Sequence, residues 1–402
     1  MSRPGGQMVK FNKKTAYAAI VALGIVSLLG DVIYEGSRSV VPEYLGFLGA
    51  SALLVSTVGG LGEFIGYAFR FVSGVLADTT RSYWVFTILG YGMIIAIPLL
   101  AISGSWPVAA LLVVVERLGK AIRSPARDVI LSDVSRGIGT GKAFGIHEFL
   151  DQIGAVLGPI LVILVMVSTG NSYSIVFAFL SIPFIIMLLA LFFTYKKVKK
   201  IQDSVRTKFS DQDRRKGLSK KFYMYIGAVS LNSIGLIPVW LILFKGATIV
   251  TAASMQWVVP AIYLVVQAVD APSALISGHA YDKIGVSVLL LPFFVSIFPA
   301  ILLFAAQDVA TLVISAVLFG IVLGMQESIY RAAVADLAPM ASRGKAYGIF
   351  YTMYGLGFLI SGVVYGAFFN YGVSILVISI YAILVQTVAL LALLKVKAGA
   401  ER

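Results

Sequence analysis

A chain of 402 residues of which 59% are hydrophobic and only 13% charged is too apolar for a water-soluble domain, so it reads as a set of membrane spans. Its formal charge of +13 would suit nucleic acid, but the charge is concentrated: between Lys196 and Lys221 there are eleven Lys or Arg against Asp203, Asp211 and Asp213, the mark of a loop between spans. No cysteine is present, which excludes disulfides and thiolate metal sites.

Residues 1–14 carry Arg3, Lys10, Lys13 and Lys14 and lead into an apolar run over 15–30. No small-x-small cleavage site follows, and the run continues through GDVIYEGSR, so a first span is expected rather than a secretory signal. Further apolar segments centre on 51–77, 83–103, 106–127, 142–168 and 172–195, then on 222–244, 252–278, 286–306, 308–335, 345–369 and 372–394. Each is long enough to cross a hydrocarbon layer of about 30 Å as a helix. The expectation is an all-α integral membrane protein of twelve spans: one bundle over 1–195, a basic linker over 196–221 and a second bundle over 222–402. The loops alternate in charge. One set holds Arg81, Arg136, Lys142, the linker, Lys283, Arg343 and Lys345, and the other only Glu43, Lys245 and Asp308. The positive-inside rule then puts both termini and the linker in the cytoplasm, with the chain in the cell membrane.

The two halves repeat. GKAFGI at 141–146 matches GKAYGI at 344–349, SDV at 132–134 matches ADL at 335–337, and SGVLAD at 73–78 matches SGHAYD at 277–282. The offset is 203 or 204 residues each time, as a duplicated six-helix unit requires.

Gly74, Leu76, Ala77, Asp78 and Arg81 resemble the G-x-L-A-D-R-x-G-R-R signature of the major facilitator superfamily, with Thr79 in place of Arg and Arg81 and Ser82 in place of Gly and Arg. Gly278, Asp282, Lys283 and Gly285 resemble its second copy. Asp31 with Glu35, and the R-x-G-K-x-x-R-x-x-x-R-D pattern from Arg117 to Asp128, resemble a prokaryotic permease branch of that family. The resemblance implies two pseudo-symmetric six-helix bundles, secondary transport by alternating access, and a latch in which Gly74, Asp78, Asp282 and Lys283 hold the bundles together at their cytoplasmic ends. The expected partners are a small-molecule substrate and the lipid bilayer, with the chain a monomer, no nucleic acid and no cofactor beyond a coupling proton.

Ionisable groups inside spans are costly and mark function by default. The stretch 116–151 holds Glu116, Arg117, Lys120, Arg123, Arg127, Asp128, His147, Glu148 and Asp151. At about 1.5 Å per residue, Arg123 and Asp151 fall at one depth, with Arg127 and Glu148 just beneath, so opposite charges are expected to meet level by level. Two readings stand for this group: salt bridges that make charged helices tolerable, or a gating network. Asp31, Glu63, Glu116 and Arg117 lie near the midplane, and Asp31, Glu35 and Arg38 share one helix face. A carboxylate that gains and loses a guanidinium neighbour takes up and releases a proton, so Asp31 or Glu35 against Arg117 is the expected coupling pair, unless the two are a fixed packing pair. The resemblance supports this, since Arg117 stands where proton-coupled members carry an Arg in the fourth span.

Gly154, Gly158 and Pro159 resemble the core of the family's antiporter signature, although Val162 and Ile163 replace its last two glycines; close helix packing explains small residues equally well. The reading therefore leans to export by proton antiport. Lys120, Asn232, Gln267, Asp270, Gln326, Glu327 and Arg331 are expected in the substrate cavity, with Tyr351 and Tyr354 from the stripe Tyr347, Tyr351, Tyr354. Should Arg117, Lys120 or Arg331 face the solute, uptake of an anion by symport is the alternative. An ATP-driven pump is not expected, because GIGTGKA at 137–143 lacks the spacing and the Ser or Thr of a phosphate-binding loop. His147 and His279 show no metal-ligand spacing, and no G-x-S-x-G nucleophile motif is present, so the chain is not expected to be an enzyme, and a non-transport role as a membrane enzyme or receptor is the remote alternative.

Overall fold

The computed structural model describes residues 13–135, 140–205, 217–339 and 342–398. Arg3, Lys10, Arg136, the start of GIGTGKA and most of the linker lie outside the described residues. The spanning helices are α1 (Lys13–Arg38), α2 (Ala52–Thr80), α3 (Tyr83–Ile102), α4 (Trp106–Val134), α5 (Thr140–Ser168) and α6 (Ser181–Val205). Then come α7 (Lys220–Ile249, bent at 236–238), α8 (Val258–Ile284), α9 (290–305), α10 (Val309–Leu337), α11 (Arg343–Asn370) and α12 (Ile375–Ala398). Among the described residues ten stretches are long and apolar enough to cross a membrane. One of them, Val258–Ala305, is two spans, and α4 is passed over because it carries its row of charges. Twelve spans result.

Local sequence sets the helix ends. Ser51, Ser219 and Asp308 cap α2, α7 and α10 by accepting the backbone N–H of Leu54 at 3.4 Å, Phe222 at 3.2 Å and Thr311 at 2.8 Å. That bond holds the Asp308 carboxyl below its usual range. Gly285, at φ 59°, turns the chain from α8 toward α9 in a conformation that favours glycine. Pro125 in the interior of α4 has no N–H to offer the carbonyl of Ala121. Ser73 of α2 donates to that carbonyl at 2.7 Å, so the freed acceptor is satisfied inside the membrane.

In the first half α1 packs along α5 and α6, and α4 along α2 and α3. In the second, α8 packs along α10, and α7 along α11 and α12. A Cβ on Gly36 would lie 3.1 Å from the carbonyl oxygen of Gly158, so the glycines let the backbones of α1 and α5 touch. The halves meet through α2 against α11, α5 against α8, and the 41–47 and α2 segments against α7. On the side away from the linker they close further. There the side-chain oxygen of Asn171 accepts the backbone N–H of Trp257 at 3.1 Å, and Tyr263 of α8 donates to Glu35 of α1 at 2.5 Å.

Candidate functional site

Between the halves lies a cavity of about 210 Å³. It runs from Glu35 and Arg38 in the last turn of α1 to Asp128, Glu148 and Arg331, where the side chains become solvent-accessible on the linker side. Asp31, Lys120, Gln267, Asp270, Gln326, Glu327, Tyr351 and Tyr354 all line it, as do Arg123, Arg127 and Asp151. A buried ion-pair chain borders its inner end. Glu63 accepts from Arg38 at 2.5 Å and stands 3.5 Å from Arg117; Arg117 stands 3.8 Å from Glu116, and Glu116 3.6 Å from Arg123. Arg38 also reaches Glu35 at 3.9 Å. Each charge in this chain has an opposite neighbour, which is the condition for keeping ions out of water.

Arg117 faces neither Asp31 nor Glu35, contrary to the expected coupling pair. It turns toward Glu63 and lies over the ring of Tyr34 at 4.5 Å. Arg123 and Asp151, placed level by depth, do not pair either: Arg123 joins Glu116, and Asp151 takes Arg127 at 3.8 Å and His147 at 3.3 Å. Arg127 is held chiefly by Asp128, at 2.9 Å, while Glu148 is exposed and in no ion pair among the described residues. Depth along a span fixes the level of a side chain but not the direction it faces, and Arg reaches across more than one turn.

Asn232 is corrected from the cavity to the core. It is 0% exposed and joins four helices, donating to Ser296 at 3.1 Å and Gln386 at 2.8 Å and accepting from Gln326 at 3.0 Å and Tyr330 at 2.7 Å. Tyr354 donates to Gln326 at 2.8 Å, tying this network to the cavity wall. Gln326 opens a π-helical turn, Gln326–Tyr330, of the kind found at functional positions in helices; it carries Gln326 and Glu327 at the cavity.

The signature loops sit apart from the cavity. Asp78 is exposed and accepts from Tyr83 at 2.9 Å, and Asp282 and Lys283 are exposed. Among the described residues Asp78 has no basic partner, so it makes no latch in this state. Gly74 packs α2 on α4, where an added Cβ would meet Pro125 at 3.5 Å.

Several residues in or beside the cavity were not singled out from the sequence, among them Arg70, Tyr34, Tyr67 and Tyr263. Arg70 lies over the rings of Tyr67 at 4.8 Å and Tyr351 at 5.5 Å, and Tyr67 stacks on Tyr351 at 5.6 Å. Lys120 rests on the Tyr34 ring at 3.9 Å. Arg70 was open to the rule that a charge within a span is suspect; Tyr34, Tyr67 and Tyr263 are three of 19 tyrosines. No group of three or more His, Cys, Asp and Glu able to hold a metal occurs among the described residues.

The chain is 36% identical over 376 residues to an uncharacterized protein of Mycobacterium tuberculosis, covering 92% of this chain and 91% of that one. It is 28% identical over 352 residues to an uncharacterized transporter of the same superfamily in Methanocaldococcus jannaschii, covering 86% and 87%. Among solved structures it superposes on the nucleoside transporter NupG with a TM-score of 0.70 and 16% identity, covering 94% of this chain and 99% of that one. It superposes on an inward-facing, occupied bacterial homolog of the human lysosomal transporter Spinster with a TM-score of 0.71 and 14% identity, covering 95% and 97%. The family profile matches residues 20–263 and 223–402, and with the twelve spans, the repeat and the central cavity it shows that the chain belongs to the Major Facilitator Superfamily of membrane transporters.

Proposed function

We propose that this transporter exports a small solute in exchange for protons, with Asp31 as the proton-carrying carboxylate and both termini in the cytoplasm. One observation carries the reading. Asp31 lines the cavity and is in no ion pair or hydrogen bond among the described residues, whereas Glu35, Glu63 and Glu116 are each committed to an Arg or a Tyr. A free carboxylate that meets different cations as two bundles rock binds a proton in one state and yields it in the other. Glu35 adds a link, because its bond to Tyr263 ties its charge to the closure of the halves. The export direction is supported by the resemblance of Gly154, Gly158 and Pro159 to the antiporter signature.

The test uses everted vesicles from cells making the protein, acidified inside and loaded with a pH-gradient dye, challenged with a panel of organic cations, nucleosides and organic acids. A solute that dissipates the gradient only when the protein is present is the expected result. Solute flux that is indifferent to the gradient would remove proton coupling. A second reading, uptake of an anion together with protons, is favoured by Lys120, Arg70 and Arg331, which line the cavity outside any ion pair among the described residues. It predicts that solute and protons move in the same direction.

A further inference from the structure

In its second half the cavity presents two carboxylates that no cation pairs with among the described residues. Asp270 of α8 is 3% exposed, and its Oδ1 has no hydrogen-bond partner. Glu327, at the π-helical turn of α10, lines the same cavity, and among the described residues neither carboxylate is in an ion pair. None of the cavity's cations forms an ion pair with either of them among the described residues. Arg38 is taken by Glu63 at 2.5 Å and Glu35 at 3.9 Å. Arg331, one turn from Glu327, donates its Nε to the backbone carbonyl of Glu327 rather than to the carboxylate. Lys120 and Arg70 rest on tyrosine faces in the first half.

Burying a carboxylate with no cation is costly, so a cavity that holds Asp270 in this condition, with the half-buried Glu327 lining it too, is prepared for positive charge from outside. A hard metal ion on two carboxylates would fill the rest of its shell with water, which calls for a polar surround. The neighbouring surface is aromatic instead. Phe350 and Tyr354 stack at 5.5 Å with Tyr351 beside them, and ring faces attract organic cations. We propose that Asp270 and Glu327 are the seat for the charged head of an organic cation, an ammonium or its like, whose apolar body lies against Tyr351 and Tyr354. The proposal rests on reading the cavity as the transport site and is independent of the role given to Asp31.

The experiment is equilibrium binding of radiolabelled N-methyl-4-phenylpyridinium to the purified full chain in nanodiscs, with no gradient present. This probe is permanently charged, so its own charge is the same in every sample. Wild type is expected to bind it saturably, with tetraethylammonium competing and benzoate not. Asp270→Asn and Glu327→Gln should each bind at least tenfold more weakly, Asp270→Glu should recover part of the loss, and Asp282→Asn, on an exposed loop, should match wild type. Size-exclusion profile and unfolding midpoint confirm that each variant is folded. Wild-type affinity in Asp270→Asn and Glu327→Gln would overturn the proposal, as would a wild type that binds neither cation or is saturated by benzoate instead. A cation that binds at this seat but is never moved across a vesicle membrane would sink the transport reading and leave the site standing.

Discussion

Glu63→Gln isolates the energetics of the buried ion-pair chain. The Glu63 carboxylate is the nearest acid to two guanidiniums, Arg38 at 2.5 Å and Arg117 at 3.5 Å. Neutralising it leaves Arg38 with Glu35 at 3.9 Å and Arg117 with Glu116 at 3.8 Å, both long contacts. Removing one partner of a buried pair costs about 3–5 kcal/mol, and the surviving contacts place this case near the lower end, at about 3 kcal/mol. For a bundle of this size that is a fall in unfolding midpoint of roughly 6–12 °C. Asp128→Asn is the matched control: it removes a shorter pair, 2.9 Å, but the Asp128 side chain is 43% exposed and solvent screens the charge. It should cost less than about 1 kcal/mol, under about 4 °C. Thermal unfolding of the two purified variants in one detergent measures the difference. Equal midpoints for the two would refute the argument that burial, rather than distance, decides the worth of these pairs.

Tyr263→Phe removes the hydroxyl that bridges the halves to Glu35, a bond to a charged group worth about 1.5–3 kcal/mol. The outer closure should open about tenfold more often or better, read as faster maleimide labelling of Ser37→Cys, a buried position in a chain with no native cysteine; an unchanged rate would separate that bond from gating. Asn232→Leu strips partners from Gln326, Tyr330 and Gln386 at once and should destabilise the second half by about 3 kcal/mol or more, seen as a lower unfolding midpoint. A midpoint within about 4 °C of wild type, about 1 kcal/mol, would contradict that structural role for Asn232.

The twelve spans were legible because hydropathy and loop charge are properties of single residues counted along the chain. Even α4, which fails a hydropathy test, was recoverable from its place between Trp106 and Val134 in the alternation of loops. The membership of the cavity was legible for Lys120, Gln267, Asp270, Gln326, Glu327 and Arg331, since polar residues in spans must face something other than lipid. Pairing was not. Arg117 turning to Glu63 and Arg123 to Glu116 depend on the rotation of each helix about its axis, which spacing does not set. Asn232 illustrates the same limit from the other side: a buried amide can be satisfied by a core network as well as by a cavity, and only the positions of Ser296, Gln386 and Tyr330 decide. The glycines of α5 were read both as a direction signal and as packing. Contact between Gly36 and Gly158 accounts for one of them by packing alone.

The most direct test of the coupling account is flux into proteoliposomes holding either wild type or Asp31→Asn, measured with and without an imposed pH gradient. The account predicts that Asp31→Asn still exchanges labelled for unlabelled solute, because the cavity and its rocking are intact, but no longer accumulates solute when the gradient is applied. Accumulation by Asp31→Asn at the wild-type rate and extent would contradict it.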